Sequence, residues 1–268
     1  MTDLSDAVVL ITGATGGFGR QMTQQFLAAG SRLLLTDIDA ASLESLTAEF
    51  RTGSGQILGS VAADLVDDAG CRKLFDGVHA QGHCPDILIN NAGIGVGGRF
   101  DHVPPDRWEQ VVQLNLLAPM RICYMFLPHM IERSSGHIVN ISSLAGWIGT
   151  SGISSYCATK FGLRGFSDSL ASDYGDCGIN VSTVYPFFSR TPILDSDQFG
   201  YETRREIPDD MVTDPADVVA EIINGVKRNR RDIFPDKMSR RIHYLKRFMP
   251  WIIPLIDRRM QERTLQRN

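Results

Sequence analysis

The stretch Ala7–Gly19 reads AVVLITGATGGFG. A run of apolar residues closing on a threonine and a glycine is the pattern of a short strand buried on both faces. The glycines of Thr12–Gly19 (TGATGGFG) then permit a tight turn, and the segment to about Gly30 reads as a helix opened by that turn. Such a turn lets the backbone approach a phosphate while N–H groups at the helix start face its charge. Glycines alone are also consistent with a plain strand-to-helix turn. The next strand, Arg32–Asp37 (RLLLTD), weighs against that reading. It ends in a carboxylate 24 residues after Gly13 and 18 after Gly19, near the spacing at which an acidic residue reaches the ribose hydroxyls of a dinucleotide.

A carboxylate at Asp37 favours the free 2′-hydroxyl of NAD and repels the 2′-phosphate of NADP. No Lys or Arg precedes Gly19 in the turn, and Ile38 rather than a basic residue follows Asp37, so NAD is the expected cofactor. A second set, Gly93, Gly95 and Gly98, matches G-x-G-x-x-G literally and also follows an apolar run. Pro104 and Pro105 stand where an immediate helix is needed and no acidic strand end follows, so this match is set aside.

Beyond these elements, short apolar runs alternate with helix-length amphipathic stretches. Strands are expected near Gln56–Ala62, Asp86–Asn90, His137–Ser143 and Asn180–Tyr185, with a short one near Asp232–Phe234. The connections are too long for hairpins. The expected fold is therefore α/β: a single doubly wound Rossmann-type domain with a seven-stranded parallel sheet and helices on both faces. Residues 1–236 form the expected dinucleotide-binding catalytic domain, and residues 237–268 a C-terminal extension.

The chain has 268 residues, 43% of them hydrophobic and 22% charged, which excludes disordered and collagen-like classes. A net charge of −4 gives no global attraction for nucleic acid. Five cysteines (Cys71, Cys84, Cys123, Cys157 and Cys177) include no C-x-x-C pair and no His cluster at ligand spacing, so neither disulfides nor a metal site is expected. The start, MTDLSDAVVLITG, lacks the basic and apolar regions of a secretion signal, so a cytoplasmic location is expected.

Tyr156 and Lys160 form Y-x-x-x-K on the helix expected after the strand His137–Ser143. Four residues apart, the two side chains share a helix face, so the ammonium lies near the phenol. A tyrosine titrates near pH 10 when free, and lowering that by about 3 units requires about 4 kcal/mol. One close ammonium and an oxidised nicotinamide supply charge of the right sign, and the phenol then exchanges a proton near neutral pH. Ser143, at the end of its strand, can hydrogen-bond the oxygen of a carbonyl or alcohol that also meets the tyrosine. Ser142 is the adjacent alternative. Period-two alternation points the two to opposite faces, so only one enters the site.

Together these residues resemble the classical short-chain dehydrogenase/reductase family over roughly residues 5 to 235. The turn is similar to T-G-x-x-x-G-x-G, which implies cofactor contacts at Gly13, Thr15, Gly17, Phe18 and Gly19. Asp64 and Leu65 resemble the pair that meets adenine, and Asn90-Asn91-Ala92-Gly93 resembles the N-N-A-G turn. The resemblance implies that Asn115 holds a water of the proton relay and completes a tetrad with Ser143, Tyr156 and Lys160. It also implies that Lys160 holds the nicotinamide ribose and that dimers or tetramers form. The family's Pro-Gly appears as Pro186-Phe187, which puts the local geometry in question, while Thr191 keeps its place for the nicotinamide amide or pyrophosphate. Gly16 and Gly17 together also satisfy T-G-x-x-G-x-x-G of the extended branch; length and N-N-A-G favour the classical one.

Residues 187–213 form a long loop containing Phe187, Phe188, Ile193, Leu194, Phe199 and Tyr201. Long loops in compact domains are often lids, and this one suits an apolar ketone or secondary alcohol, of steroid-, retinoid- or lipid-like character. The same aromatics are equally suited to packing the loop onto the domain. Trp147 is expected to add an apolar wall. From Lys237 onward, nine Lys or Arg stand against two Asp or Glu around the apolar run Phe248–Ile256 (FMPWIIPLI). That run is nine residues with two prolines, too short to span a bilayer, where roughly 20 apolar residues are needed. The extension can rest on an anionic membrane surface, cover a second subunit or form a solvated face. The expected activity is interconversion of a secondary alcohol and a ketone with NAD(H). The rival reading is a non-catalytic dinucleotide-sensing or interaction protein that retains the fold.

Overall fold

The computed structural model describes residues 1–50, 56–204 and 206–265, with side chains to residue 259. A seven-stranded parallel sheet has the order β3-β2-β1-β4-β6-β7-β9. Its strands are β1 (Val8–Thr12), β2 (Arg32–Asp37), β3 (Gln56–Ala62), β4 (Ile87–Asn90), β6 (Gly136–Ile141), β7 (Ile179–Val184) and β9 (Asp232–Ile233). Two further strands, β5 (Gly97–Gly98) and β8 (Gln198–Phe199), pair with each other in a separate two-stranded sheet. The helices are α1 (Gly17–Ala28), α2 (Ala40–Glu49), α3 (Asp68–Ala80), α4 (Pro105–Val112), α5 (Ala118–Glu132), α6 (Ser154–Tyr174), α7 (Pro215–Lys227), α8 (Lys237–Phe248) and α9 (Ile253–Leu265).

Alternation along β1 builds a core on each face of the sheet. Val9 and Ile11 pack with Met22 and Phe26 of α1 and with Val219 and Ile222 of α7. Val8 and Leu10 point the other way, towards Leu74 of α3 and Ile122 and Phe126 of α5. A one-residue slip of β1 would exchange the two sets, so register is strongly specified. Within the continuous helical stretch Pro105–Glu132 an 18-residue window has a mean hydropathy of 1.3, enough by length and composition to span a membrane. Ile122, Phe126 and Met130 on this stretch pack against the sheet, as in the core helix of a doubly wound fold.

Strand order reverses between β1 and β4, so the crevice beyond their carboxyl ends is the switch point at which such sheets bind ligands. Several strand ends differ by one or two residues from the sequence expectation, two of them near or opposite the site. β4 starts one residue late because the Asp86 carboxylate turns back to accept from Val8 N (2.8 Å). β6 ends at Ile141, which leaves Ser142 and Ser143 beyond the strand.

At the opposite end of the sheet, His137 of β6 is buried between Thr2 Oγ1 (2.9 Å) and Ser182 Oγ (2.8 Å). Burial lowers its pKa to about 4. The unfolded chain binds this proton more readily, so the stabilisation is complete above about pH 6.5 and is lost as pH falls towards 4, by about 3 kcal/mol. Denaturant titrations at several pH values should show this slope, and His137→Gln should remove its share of it. An unchanged slope in the variant would mean that other groups carry the acid sensitivity.

Candidate active site

The glycine turn closes because its backbone segments touch. A Cβ at Gly19 would lie 2.0 Å from Gly13 O and 2.7 Å from Ala14 Cα, and one at Gly17 would lie 2.5 Å from Thr191 Cγ2. Thr191 is thus brought against the turn from the far side of the crevice. Helix α1 has Gly16 as N-cap with no side-chain cap and no acidic residue in its first turn. The first intrahelical bond runs from Arg20 N to Gly16 O (2.9 Å), so the N–H groups of Gly17, Phe18 and Gly19 stand at the open helix start. An uncapped helix N-terminus in a cradle without side chains fits a pyrophosphate.

Asp37 stands beside the glycine turn at the end of β2. Its Oδ2 accepts from Thr15 N (2.9 Å) and Thr15 Oγ1 (2.7 Å), and its Oδ1 accepts from Ile38 N (2.8 Å). A carboxylate offers about four acceptor positions, so capacity remains for a ribose hydroxyl. Thr15 therefore orients the carboxylate. Asp64 is exposed after β3 with Leu65 buried beside it. The Asn91 side chain donates to Thr12 O (2.9 Å) and Gly13 O (3.0 Å), and Thr12 Oγ1 accepts from the N–H of both Asn91 and Ala92. The turn after β4 is thus stitched to the glycine turn, with Asn91 acting inside the protein.

Four residues converge at the carboxyl ends of β4 and β6. Asn115 sits in a π-helical turn, Gln113–Leu117, between α4 and α5, where its amide donates to Ile94 O (2.8 Å) and its Oδ1 accepts from Ile94 N (2.9 Å). A Cβ at Gly93 would lie 3.1 Å from Asn115 Oδ1 and 3.7 Å from Lys160 Nζ, so the asparagine and the lysine flank the same glycine. Tyr156 and Lys160 lie one turn apart on α6, with Nζ 5.5 Å from the phenol ring centroid and donating to Ile141 O (2.9 Å). Ser143 caps the short turn Leu144–Gly146, and its hydroxyl hydrogen-bonds Tyr156. Ser142 instead donates to Lys160 O (3.0 Å) and is buried. The two hydroxyls thus face different partners, Ser143 the Tyr156 phenol and Ser142 the α6 backbone.

Burial pushes the Tyr156 phenol up to about 12, opposed by its hydrogen bond to Ser143. Burial also lowers Lys160 to about 8. Within the protein alone the net shift of the phenol is upward because desolvation outweighs the hydrogen bond to Ser143, whereas the sequence expectation of a lowered value included an oxidised nicotinamide. At neutral pH the site therefore presents a neutral phenol, able to give up a proton, beside a lysine that is still mostly an ammonium.

Phe187 accounts for the departure from Pro-Gly. It is absent from the set of positive-φ residues, so glycine is not required there. Its N–H donates to Asp236 Oδ2 (2.9 Å), and its ring packs with Phe188 at 4.5 Å and with Leu144, Ile148 and Ile242. Pro186 O accepts from Leu144 N (2.8 Å), just after Ser143. Trp147 does not wall the site. It packs on Tyr185, Phe234 and His243 (5.4, 5.2 and 4.9 Å), under α8, with the Arg164 guanidinium 3.8 Å above its ring.

The long loop carries structure that its sequence did not signal. Strand β8 pairs with β5, so Phe199 is held near Ile94, Trp108 and Tyr156. The set-aside glycines serve this contact: Gly98 has φ +136°, and a Cβ there would strike Phe199 O at 2.3 Å. The π turn at Asn115 was likewise not foreseen, since α4 and α5 run as one amphipathic pattern.

An open phosphate cradle at the switch point, with a Ser-Tyr-Lys group across the crevice, defines the class of nicotinamide-dinucleotide oxidoreductases on a Rossmann-type sheet. The chain belongs to the short-chain dehydrogenase/reductase family, whose model, described as short chain dehydrogenase, matches residues 7–200. It is 31% identical over 251 residues to human Epidermal retinol dehydrogenase 2, covering 92% of this chain and 80% of that protein. It is 30% identical over 260 residues to "Probable oxidoreductase EphD" of Mycobacterium tuberculosis, covering 91% of this chain. The chain spans 43% of the length of that mycobacterial relative. Among solved structures, a short-chain dehydrogenase from Sphingobium yanoikuyae in complex with NADPH aligns with a TM-score of 0.78 at 27% identity, covering 92% of this chain and 95% of that one.

Proposed function

We propose that the protein interconverts a secondary alcohol and a ketone of apolar character, using NAD(H). The convergence of Ser143, Tyr156, Lys160 and Asn115 beside the glycine turn carries this reading. When bound, the nicotinamide supplies or accepts the hydride. In reduction, Tyr156 donates the proton to the carbonyl oxygen and Ser143 orients that oxygen. Lys160 holds the nicotinamide ribose and stabilises the phenolate left behind, and Asn115 anchors the water path that returns the proton. In oxidation the same groups act in reverse. Gly13, Gly17, Phe18 and Gly19 receive the pyrophosphate with Thr191, Asp37 holds the ribose, and Asp64 and Leu65 meet the adenine. Asn91, Ala92, Gly93 and Pro186 line the crevice between them.

Support for an apolar substrate comes from the small apolar cluster that Tyr156 shares with Ile94, Val96, Trp108 and Phe199. Residues 1–236 form the catalytic unit in this reading, residues 187–213 its substrate loop, and residues 237–268 a docking extension. Homodimers or tetramers are supported by Tyr124 and Met120 of α5 and Phe161 of α6, which are exposed. A cytoplasmic location is supported by five cysteines that stand as free thiols. The test is a panel of steroid, retinoid and long-chain ketones and alcohols, with small polar ketones as controls, assayed with both nucleotides. Turnover of apolar members with NADH is expected. Tight NADH binding with no turnover across the panel would favour a sensing protein.

Cofactor choice rests on the Asp37 carboxylate. Asp37→Ser combined with Ile38→Arg should raise the ratio of NADPH to NADH efficiency by on the order of 100-fold, since a repulsive charge is exchanged for an attractive one. A wild-type protein that uses NADPH at least as well as NADH would overturn the NAD assignment.

A further inference from the structure

Helix α8 has two faces of different character. Its inner face is fixed on the domain: Ile242 is buried with Leu144 and Ile148, Lys246 Nζ donates to Trp147 O, and Asp236 caps the helix through Ser239 N (2.7 Å). The outer face carries Lys237, Arg241, Tyr244 and Phe248 at i, i+4, i+7 and i+11, one continuous stripe, and all four are exposed. After the turn Pro250–Ile252, Trp251, Leu255 and Arg259 continue at four-residue spacing into α9, also exposed. Phe248 is 71% and Trp251 74% exposed, with Tyr244 at 60%, an unusual grouping of large aromatics for a surface with no partner.

The order along each helix matters. The aromatics gather where α8 passes through the turn Pro250–Ile252 into α9; Lys237 and Arg241 lie two to three turns before Phe248, Arg259 lies two turns after Trp251, and Arg247 stands beside Phe248. Arg241 trails Phe248 by seven residues, or about 10 Å along the axis. Interfacial helices sink their apolar residues roughly 5–10 Å while flanking cations stay at headgroup level, and this exposed stripe carries both kinds of residue. From Lys237 onward the chain carries nine Lys or Arg and two Asp or Glu, a charge of +7 in a protein whose total is −4. On the described surface Lys237, Arg241, Arg247 and Arg259 are exposed, which makes this face complementary to an anionic partner in an otherwise acidic molecule.

We propose that the exposed face of α8 and the start of α9 docks on an anionic phospholipid membrane, with Phe248, Trp251 and Leu255 entering the interface and Arg241, Arg247 and Arg259 pairing with headgroup phosphates. Ile253, the first residue of α9, shares a cluster with Leu144, Ile148 and Phe187, which adjoin Ser143 and Pro186. Docking thus brings the rim of the candidate active site to the lipid surface. That consequence rests on the apolar-substrate reading; the docking itself does not.

The experiment is co-sedimentation of the full chain with phosphatidylcholine vesicles, with and without phosphatidylglycerol, in the absence of nucleotide and substrate. Wild-type protein should partition at least about tenfold more strongly onto the anionic vesicles and lose this in high salt. Phe248→Ser with Trp251→Ser, and separately Arg241→Glu with Arg247→Glu, should each reduce partitioning about tenfold or more while circular dichroism stays unchanged. Equal partitioning onto both vesicle types, or variants that bind like wild type, would overturn the proposal. So would sedimentation velocity showing that the Phe248→Ser and Trp251→Ser substitutions dissociate a wild-type oligomer, because the patch would then cover a second copy. Vesicle binding combined with an inactive substrate panel would remove the oxidoreductase reading and leave the docking surface standing.

Discussion

Tyr156→Phe is expected to lower turnover by at least about 1000-fold while NADH affinity stays within about twofold. The variant removes one oxygen from a ring packed against the buried cluster of Val96, Val103 and Val111, so the apolar contacts persist. It also removes the hydrogen bond to Ser143 and the only phenolic proton beside Lys160 that the proposed reaction uses. Steady-state assays on the best substrate of the panel, with a fluorescence titration of NADH, separate the two effects. Variant activity within about tenfold of wild type would transfer the proton role to another group.

Gly19→Ala should have a comparable effect on a different step. The added Cβ would meet Gly13 O at 2.0 Å and Ala14 Cα at 2.7 Å, both backbone atoms, so no side chain can swing aside. The turn must open, which displaces the N–H groups of Gly17 and Phe18 from the phosphate cradle. Dinucleotide affinity should fall at least about 100-fold, with a stability loss of about 2–3 kcal/mol from overpacking. Isothermal titration and thermal melts would report these separately. Unaltered affinity would place the pyrophosphate elsewhere.

Much of this was legible in the chain because its physical causes are local. The continuous apolar run Val8–Thr12, the glycines after it and Asp37 at the end of β2 specify the nucleotide-binding turn without help from distant residues. Four-residue spacing likewise fixed the Tyr156–Lys160 pair on α6. The features that escaped depend on remote partners. Strand β8 exists only because Gly97 and Gly98 lie alongside it, and the π turn at Asn115 is seen only through its bonds to Ile94. Trp147 looked like a site wall by its nearness to Ser143, whereas α8, about 100 residues later, recruits it to anchor the tail. Phe187 looked like a defect in a glycine position and is instead a contact to Asp236.

The balance of charge at Tyr156 is the central physical point. Burial holds the phenol near 12 and Lys160 near 8 in the protein alone, so the resting pair is a neutral acid beside an ammonium. Oxidation of an alcohol requires the phenolate, which needs additional positive charge in the crevice; reduction does not. Ultraviolet difference titration of the tyrosine absorbance, in the presence and absence of NAD⁺, measures this directly. The phenolate of wild-type protein, assigned by its absence in Tyr156→Phe, should appear several pH units lower when NAD⁺ is bound, and Lys160→Met should shift it back upward. A phenol that titrates at the same pH with and without NAD⁺, or is indifferent to Lys160→Met, would contradict the account.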